Sequence, residues 1–233
     1  MFEPHLKEIE RFINSHLHQI KKLPFDNLLP WKKESSLILE KDTALELGNP
    51  KQGSLHLVLW KEPEPELKSE IFLLGKDLPQ MTDFSYPFAQ VIIVYGNFSE
   101  AYECFSKVRD VIYQVKLKGM MPRYMPSRQV VWLRVNQEAK QSGLSLRHLG
   151  QALIQDLLTL DFISQVKILF ITSSQKKIKM LKELAREVQK IQNALIKMVE
   201  EESFDCAVCE YQEVCATVAE LKKIRNQLLK AKR

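Results

Sequence analysis

A mixed α/β domain is the fold class this sequence predicts, and three observations carry the prediction. Short strand-like runs crowd residues 36–74 and form a small N-terminal β region. From about residue 88, dense β-branched runs alternate three times with stripes of apolar residues at helical spacing. A long amphipathic stretch then leads into a segment that holds three of the four cysteines.

Each element follows from its pattern. Residues 3–22 place Leu6, Ile9, Ile13, Leu17 and Ile20 on one stripe, which predicts an amphipathic helix closed by Pro24. Residues 24–35 read as a connection. Strands are expected at Ser36–Glu40 with a continuation near Ala44–Leu47, at Leu55–Trp60 and at Glu70–Leu74. The Gly48–Gly53 turn between the first two suggests a hairpin, and Pro63 and Pro65 break the chain before the third.

The second half is more regular. Val91–Tyr95 reads as a buried strand. Ser99 is the expected cap of a helix striped by Tyr102, Phe105, Val108, Ile112 and Val115. Residues 116–129, with two prolines and four positive charges, read as an irregular loop. Val130–Val135 is the next strand, with Trp132 expected in the core. Ser145 should cap a helix carrying Leu146, Leu149, Leu153, Leu157 and Leu160 on its inward face. Val166–Ile171 is a further strand, and Ser173 or Ser174 should start one long helix. The expected divisions are a helix in 1–30, an α/β domain in 36–200, and a cysteine segment with a terminal helix in 201–233.

Composition excludes several function classes. The 233 residues are 45% apolar and 27% charged, which suits a globular chain. No apolar run approaches the ~20 residues of a membrane span, and the charged start, MFEPHLKEIERF, is unlike a signal peptide. A soluble, cytoplasmic protein is expected, with no membrane partner. Glycine is scarce, at 7 residues, and no phosphate-cradling glycine motif is present. A net charge of +5 permits an anionic ligand, but no nucleic-acid motif accompanies it. His148, on a helix beside Leu146 and Leu149, reads as structural.

The chemistry-bearing segment is Cys206-Ala-Val-Cys209-Glu-Tyr-Gln-Glu-Val-Cys215. In a cytoplasmic chain this clustering reads as metal binding before disulfide. Two thiolates three residues apart can grip one centre from a turn, and a third can close on it from the next. A [4Fe–4S] cluster and a zinc site each want four ligands. Cys104, a histidine, a second chain or a small ligand could supply the fourth. The competing reading makes these cysteines small apolar residues on a helix. No Lys or Arg occurs from 200 to 220, a negative field that would lower a cluster's reduction potential.

The order of features resembles a known family. A strand with Val131-Trp132-Leu133-Arg134 leads to a helix reading Leu146-Arg147-His148-Leu149-Gly150-Gln151-Ala152-Leu153, then a strand, a long helix and a Cys-x-x-Cys. This looks like the middle domain of acetyl-CoA synthase, the β subunit of the CO dehydrogenase/acetyl-CoA synthase complex, over roughly residues 36–215. The family's activity is CO-methylating acetyl-CoA synthesis on a [4Fe–4S] cluster bridged to a dinickel site. The resemblance implies that Cys206 and Cys209 match the first two cluster cysteines and that Cys215 approximates the third. The downstream Cys-Gly-Cys that holds nickel has no counterpart here, so nickel is not expected on this chain alone. Arg128 and Arg134 match arginines of the Trp-x-Arg strand, which with Arg123 and Lys118 nearby suggests a CoA or anion site; the competing reading is a solvated loop with ordinary strand-edge arginines. The implied roles are an iron–sulfur accessory or partial subunit with a CO dehydrogenase-type or ferredoxin-like partner, a split synthase subunit binding CoA, or a zinc-stabilised scaffold.

Overall fold

The computed structural model describes residues 1–24, 29–64, 68–200 and 209–231. The elements in order are α1 (Glu3–Ser15), β1 (Ile20–Leu23), β2 (Thr43–Leu47), β3 (Ser54–Lys61), β4 (Glu70–Leu74), β5 (Ser85–Tyr86) and β6 (Phe88–Gly96). They continue through α2 (Ala101–Gln114), β7 (Met120–Met125), β8 (Val130–Asn136), α3 (Gln137–Gln141), α4 (Leu146–Leu157) and β9 (Ile163–Ile171). The C-terminal part is helical: α5 (Gln175–Met180), α6 (Lys182–Glu200), α7 (Gln212–Thr217) and α8 (Ala219–Ala231).

The strands form two mixed sheets. The first has the order β1-β4-β9-β6-β3, with β4–β9 and β3–β6 parallel and β6–β9 and β1–β4 antiparallel. The second has the order β5-β2-β8-β7. All nine residues of β6 are buried, as a strand covered on both faces requires. The expected α/β class is therefore observed. The strand–helix units, however, do not return to one sheet: β6–α2–β7 crosses to the second sheet, and β8–α3–α4–β9 crosses back.

Several local expectations change for physical reasons. The Gly48–Gly53 turn does not close a hairpin, because β2 and β3 belong to different sheets. Gly48 (φ 74°) and Gly53 (φ 100°) take backbone angles that side chains resist, and so steer the chain between sheets. Residues 36–40 form no ladder. Their alternation is real, with Ile38 buried and Leu37 and Leu39 exposed, but their polar groups are used otherwise. Ser36 Oγ accepts Gly119 N at 2.8 Å, and Ile38 N donates to Met121 Sδ at 3.5 Å. The segment is a strap lying across the second sheet.

The predicted loop 116–129 contains β7, which pairs antiparallel with β8 from Met120↔Val135 to Met125↔Val130. Pro122 is tolerated because β7 is an edge strand with one side free of ladder partners. Helix α1 stops at Ser15. There Ser15 Oγ donates to Phe12 O at 2.8 Å and His16 Nδ1 lies 2.9 Å from the same oxygen, so side chains take the last-turn carbonyl. Ile20–Leu23 then joins the first sheet as β1. Ser99 is not the cap of α2; Glu100 holds that position. Ser174 does cap α5, accepting Lys177 N at 3.4 Å. The expected long helix is interrupted at Leu181, which separates α5 from α6.

Two contacts lock the sheets and helices together. Ser54 Oγ donates to Val131 O at 2.7 Å and accepts Val131 N at 3.0 Å, bridging β3 to β8. The Asp77 carboxylate accepts Leu78 N and Leu146 N, each at 2.7 Å, and so caps both a short 3-10 turn and α4. Ser145 is the N-cap of α4. His148 Nδ1 accepts Ser145 N at 3.1 Å, which places the ring proton on Nε2, and the ring packs 5.0 Å from Trp31. Burial holds the His148 pKa below the usual histidine range. This is a capping arrangement, as expected of a structural histidine.

Candidate functional site

Strand alternation decides which residues of the second sheet face outward. On β8, Val131, Leu133 and Val135 are buried, so Trp132 and Arg134 point to the other side. The register places Arg123 of β7 opposite Trp132 and Glu46 of β2 opposite Arg134. Trp132 is thus half-buried on the outer face rather than in the core.

Two guanidinium groups lie against its indole. The Arg134 Cζ is 4.5 Å from the ring centroid and the Arg123 Cζ is 5.7 Å away, both within cation–π range. Their environments differ. Arg123 is exposed and forms no ion pair among the described residues. The Arg134 side chain is 16% exposed, lies 3.5 Å from Glu46 Oε1 through Nε, and donates through Nη1 to Ile38 O of the strap at 3.4 Å. Glu46 also accepts Asn49 Nδ2 at 2.7 Å. Both Trp132 Nε1 and Arg134 Nε are buried atoms without a hydrogen-bond partner among the described residues.

Arg128 sits exposed in the 3-10 turn Pro126–Arg128 between β7 and β8, followed by Gln129 at φ 48°. Helix α6 holds this turn: Gln189 Nε2 donates to Ser127 O at 2.7 Å. Lys118 is engaged with Glu138 at 3.4 Å. Of the expected anion-binding groups, Arg123 and Arg128 therefore present unpaired charge, while Arg134 is already compensated.

The cysteines are less concentrated. Cys206 lies outside the described residues. Cys209 is half-buried just before α7, and Cys215 is buried within α7 in the apolar cluster that includes Leu221. Cys104 is on α2, with Sγ 3.9 Å from Asn97 O, and burial pushes its thiol pKa up. Among the described residues, no three His, Cys, Asp or Glu side chains converge in a way that could hold a metal ion. Cys104 is thus not brought together with Cys209 and Cys215 into one group.

A polar cluster that the sequence reading did not anticipate lies inside, between the sheets. His56 of β3 pairs in register with Gln90 of β6, and its ring centroid is 4.8 Å from that of Tyr124 of β7. Tyr124 stacks on Tyr113 of α2 at 4.9 Å and its hydroxyl donates to Gln90 Oε1 at 3.4 Å. Neither ring nitrogen of His56 has a hydrogen-bond partner among the described residues. Desolvation pushes the His56 pKa down to about 3, so the ring is neutral at pH 7. An apolar-looking strand with one histidine carries no signal for this in sequence.

The fold and its outer face define an α/β domain that presents an arginine–tryptophan platform on one of two mixed sheets. Comparison with known families gives the rest: the chain belongs to the CO dehydrogenase/acetyl-CoA synthase complex beta subunit family, whose model matches residues 32–178. It is 29% identical over 177 residues to the acetyl-CoA decarbonylase/synthase complex subunit beta 2 of Methanocaldococcus jannaschii, covering 72% of this chain and 36% of that protein. It is 26% identical over 197 residues to the corresponding subunit beta of Archaeoglobus fulgidus, covering 81% and 37%. The chain thus spans little more than a third of the length of these relatives. No helix among the described residues is long and apolar enough to cross a membrane.

Proposed function

We propose that this chain is a subunit, or part of one, in a complex of the CO dehydrogenase/acetyl-CoA synthase type, and that the outer face of its second sheet binds coenzyme A. The observation that carries the reading is the juxtaposition of Arg123, Trp132 and Arg134 on adjacent outward positions. Coenzyme A carries an adenine ring and three phosphate groups. An indole offers a stacking surface for the base, and guanidinium groups suit phosphate oxygens. Arg123 and the neighbouring Arg128 supply the uncompensated charge. The remaining parts of a synthase, including nickel ligands, would come from elsewhere in the complex, since their names describe the relatives as complex subunits.

Titration calorimetry with coenzyme A tests this. The protein is expected to bind it, and Arg123→Gln to weaken binding by about tenfold, the loss of one charge-assisted contact. Absence of heat at millimolar coenzyme A would overturn the reading.

A second reading rests on the cysteine segment. Cys209 and Cys215 lie on a loop and the short helix that follows it, and the surrounding stretch from 200 to 220 is free of Lys and Arg. With Cys206 they would hold a [4Fe–4S] cluster serving electron transfer, metal delivery or assembly, or a zinc ion serving as a scaffold. Iron, sulfide and zinc analysis of anaerobically purified protein beside Cys209→Ser separates the outcomes. About four irons per chain, lost in the variant, supports the cluster. One zinc supports the scaffold, and metal-free protein after reconstitution defeats both.

A further inference from the structure

The two arginines against Trp132 are not equivalent, and the difference lies in Glu46. Its carboxylate is opposite Arg134 in the β2–β8 register and 3.5 Å from Nε, yet Nε forms no hydrogen bond there. The geometry is an ion pair that neutralises the guanidinium without satisfying its Nε donor. Asn49 Nδ2 holds the carboxylate in place at 2.7 Å, and the Ile38 carbonyl of the strap takes an Nη1 donor at 3.4 Å.

We propose that Glu46 is an internal competitor for the anion site: it occupies the guanidinium of Arg134 where a ligand phosphate would otherwise bind, and so sets the affinity of the platform. This rests on the coenzyme A reading and deepens it by assigning regulation of that site. Glu46 is a positioning residue. It holds Arg134 against the indole and yields the guanidinium to an arriving phosphate. Removing the carboxylate charge leaves Arg134 available and takes away a repulsive charge near the incoming phosphate, so both effects act in one direction.

The test compares coenzyme A binding to the intact chain and three variants by calorimetry, with thermal melting as the folding check. Glu46→Gln, whose amide oxygen can still accept from Asn49, is expected to bind about fivefold more tightly at low salt. The gain should shrink as salt screens the charges. In an Arg134→Gln background the same substitution should give a clearly smaller gain, no more than the lost repulsion supplies. That result separates release of Arg134 from a general charge effect, which would persist in full without the arginine. If Glu46→Gln does not fold, Glu46→Asp replaces it; it draws the carboxylate back by one methylene, with an expected gain of about twofold. Wild-type binding with no change in the Glu46 variants overturns the inference and leaves the coenzyme A reading standing. Silence from the wild type at millimolar coenzyme A overturns the coenzyme A reading and the inference with it.

Discussion

Replacing Gly48 by alanine is expected to destabilise the fold by about 2–4 kcal/mol, the sum of a left-handed backbone penalty of ~1–2 kcal/mol and a steric cost of similar size. Gly48 has φ 74°, and a Cβ there would lie 2.2 Å from the backbone oxygen of Val131. That oxygen cannot move freely, since it also accepts the Ser54 hydroxyl at 2.7 Å. The control is Gly143→Ala. Its φ of 87° carries the same backbone penalty, but nothing lies within 4 Å of the added carbon. Urea unfolding midpoints of the two variants should therefore differ clearly. Equal losses would mean that the approach of the β2–β3 turn to β8 is not tight.

Acid is expected to weaken the protein through His56. In the unfolded chain this histidine titrates near its ordinary 6.5, whereas burial lowers it to about 3 in the fold. The folded state therefore binds fewer protons between these values, and stability falls as pH drops below 6.5. The slope is about 1.4 kcal/mol per pH unit for one such group, so at pH 4.5 the loss attributable to His56 is about 2.7 kcal/mol. His56→Phe should remove that slope. At pH 7 it should cost little or even stabilise, because two unpaired ring nitrogens disappear and the stacking surface toward Tyr124 remains. The measurement is the urea unfolding free energy of both proteins at pH 7 and pH 4.5. An identical pH dependence would show that His56 is solvated or partnered in the fold.

What the sequence revealed followed the physics of local pattern. Val91–Tyr95, Val130–Val135 and Val166–Ile171 are strands because dense β-branched runs have few alternatives, and Leu146–Leu157 is a helix with a legible cap. Pairing was not legible, because it depends on partners far along the chain. Nothing near Thr43–Leu47 announces that it lies beside β8 rather than β3. Met120–Met125 was hidden by Pro122, whose missing donor matters little at an edge. A tryptophan on a strand suggests core, but the alternation of Val131, Leu133 and Val135 places Trp132 with Arg134 on the opposite side. Arg123, Arg128 and Arg134 were visible as charges. That Glu46 neutralises one of them was not, since 88 residues separate the pair.

Strand β3 lies at the edge of its sheet, and five of its eight residues are apolar: Leu55, Leu57, Val58, Leu59 and Trp60. Its outward carbonyl at Val58 is taken by Gln192 Nε2 of α6 at 2.8 Å. The family match ends at residue 178, before α6 begins. A fragment trimmed to the shared signature would bare a greasy ribbon with free peptide groups, a template on which copies could stack edge to edge. The smallest piece of this chain that stays monodisperse is therefore expected to be longer than the stretch the family model matches, residues 32–178.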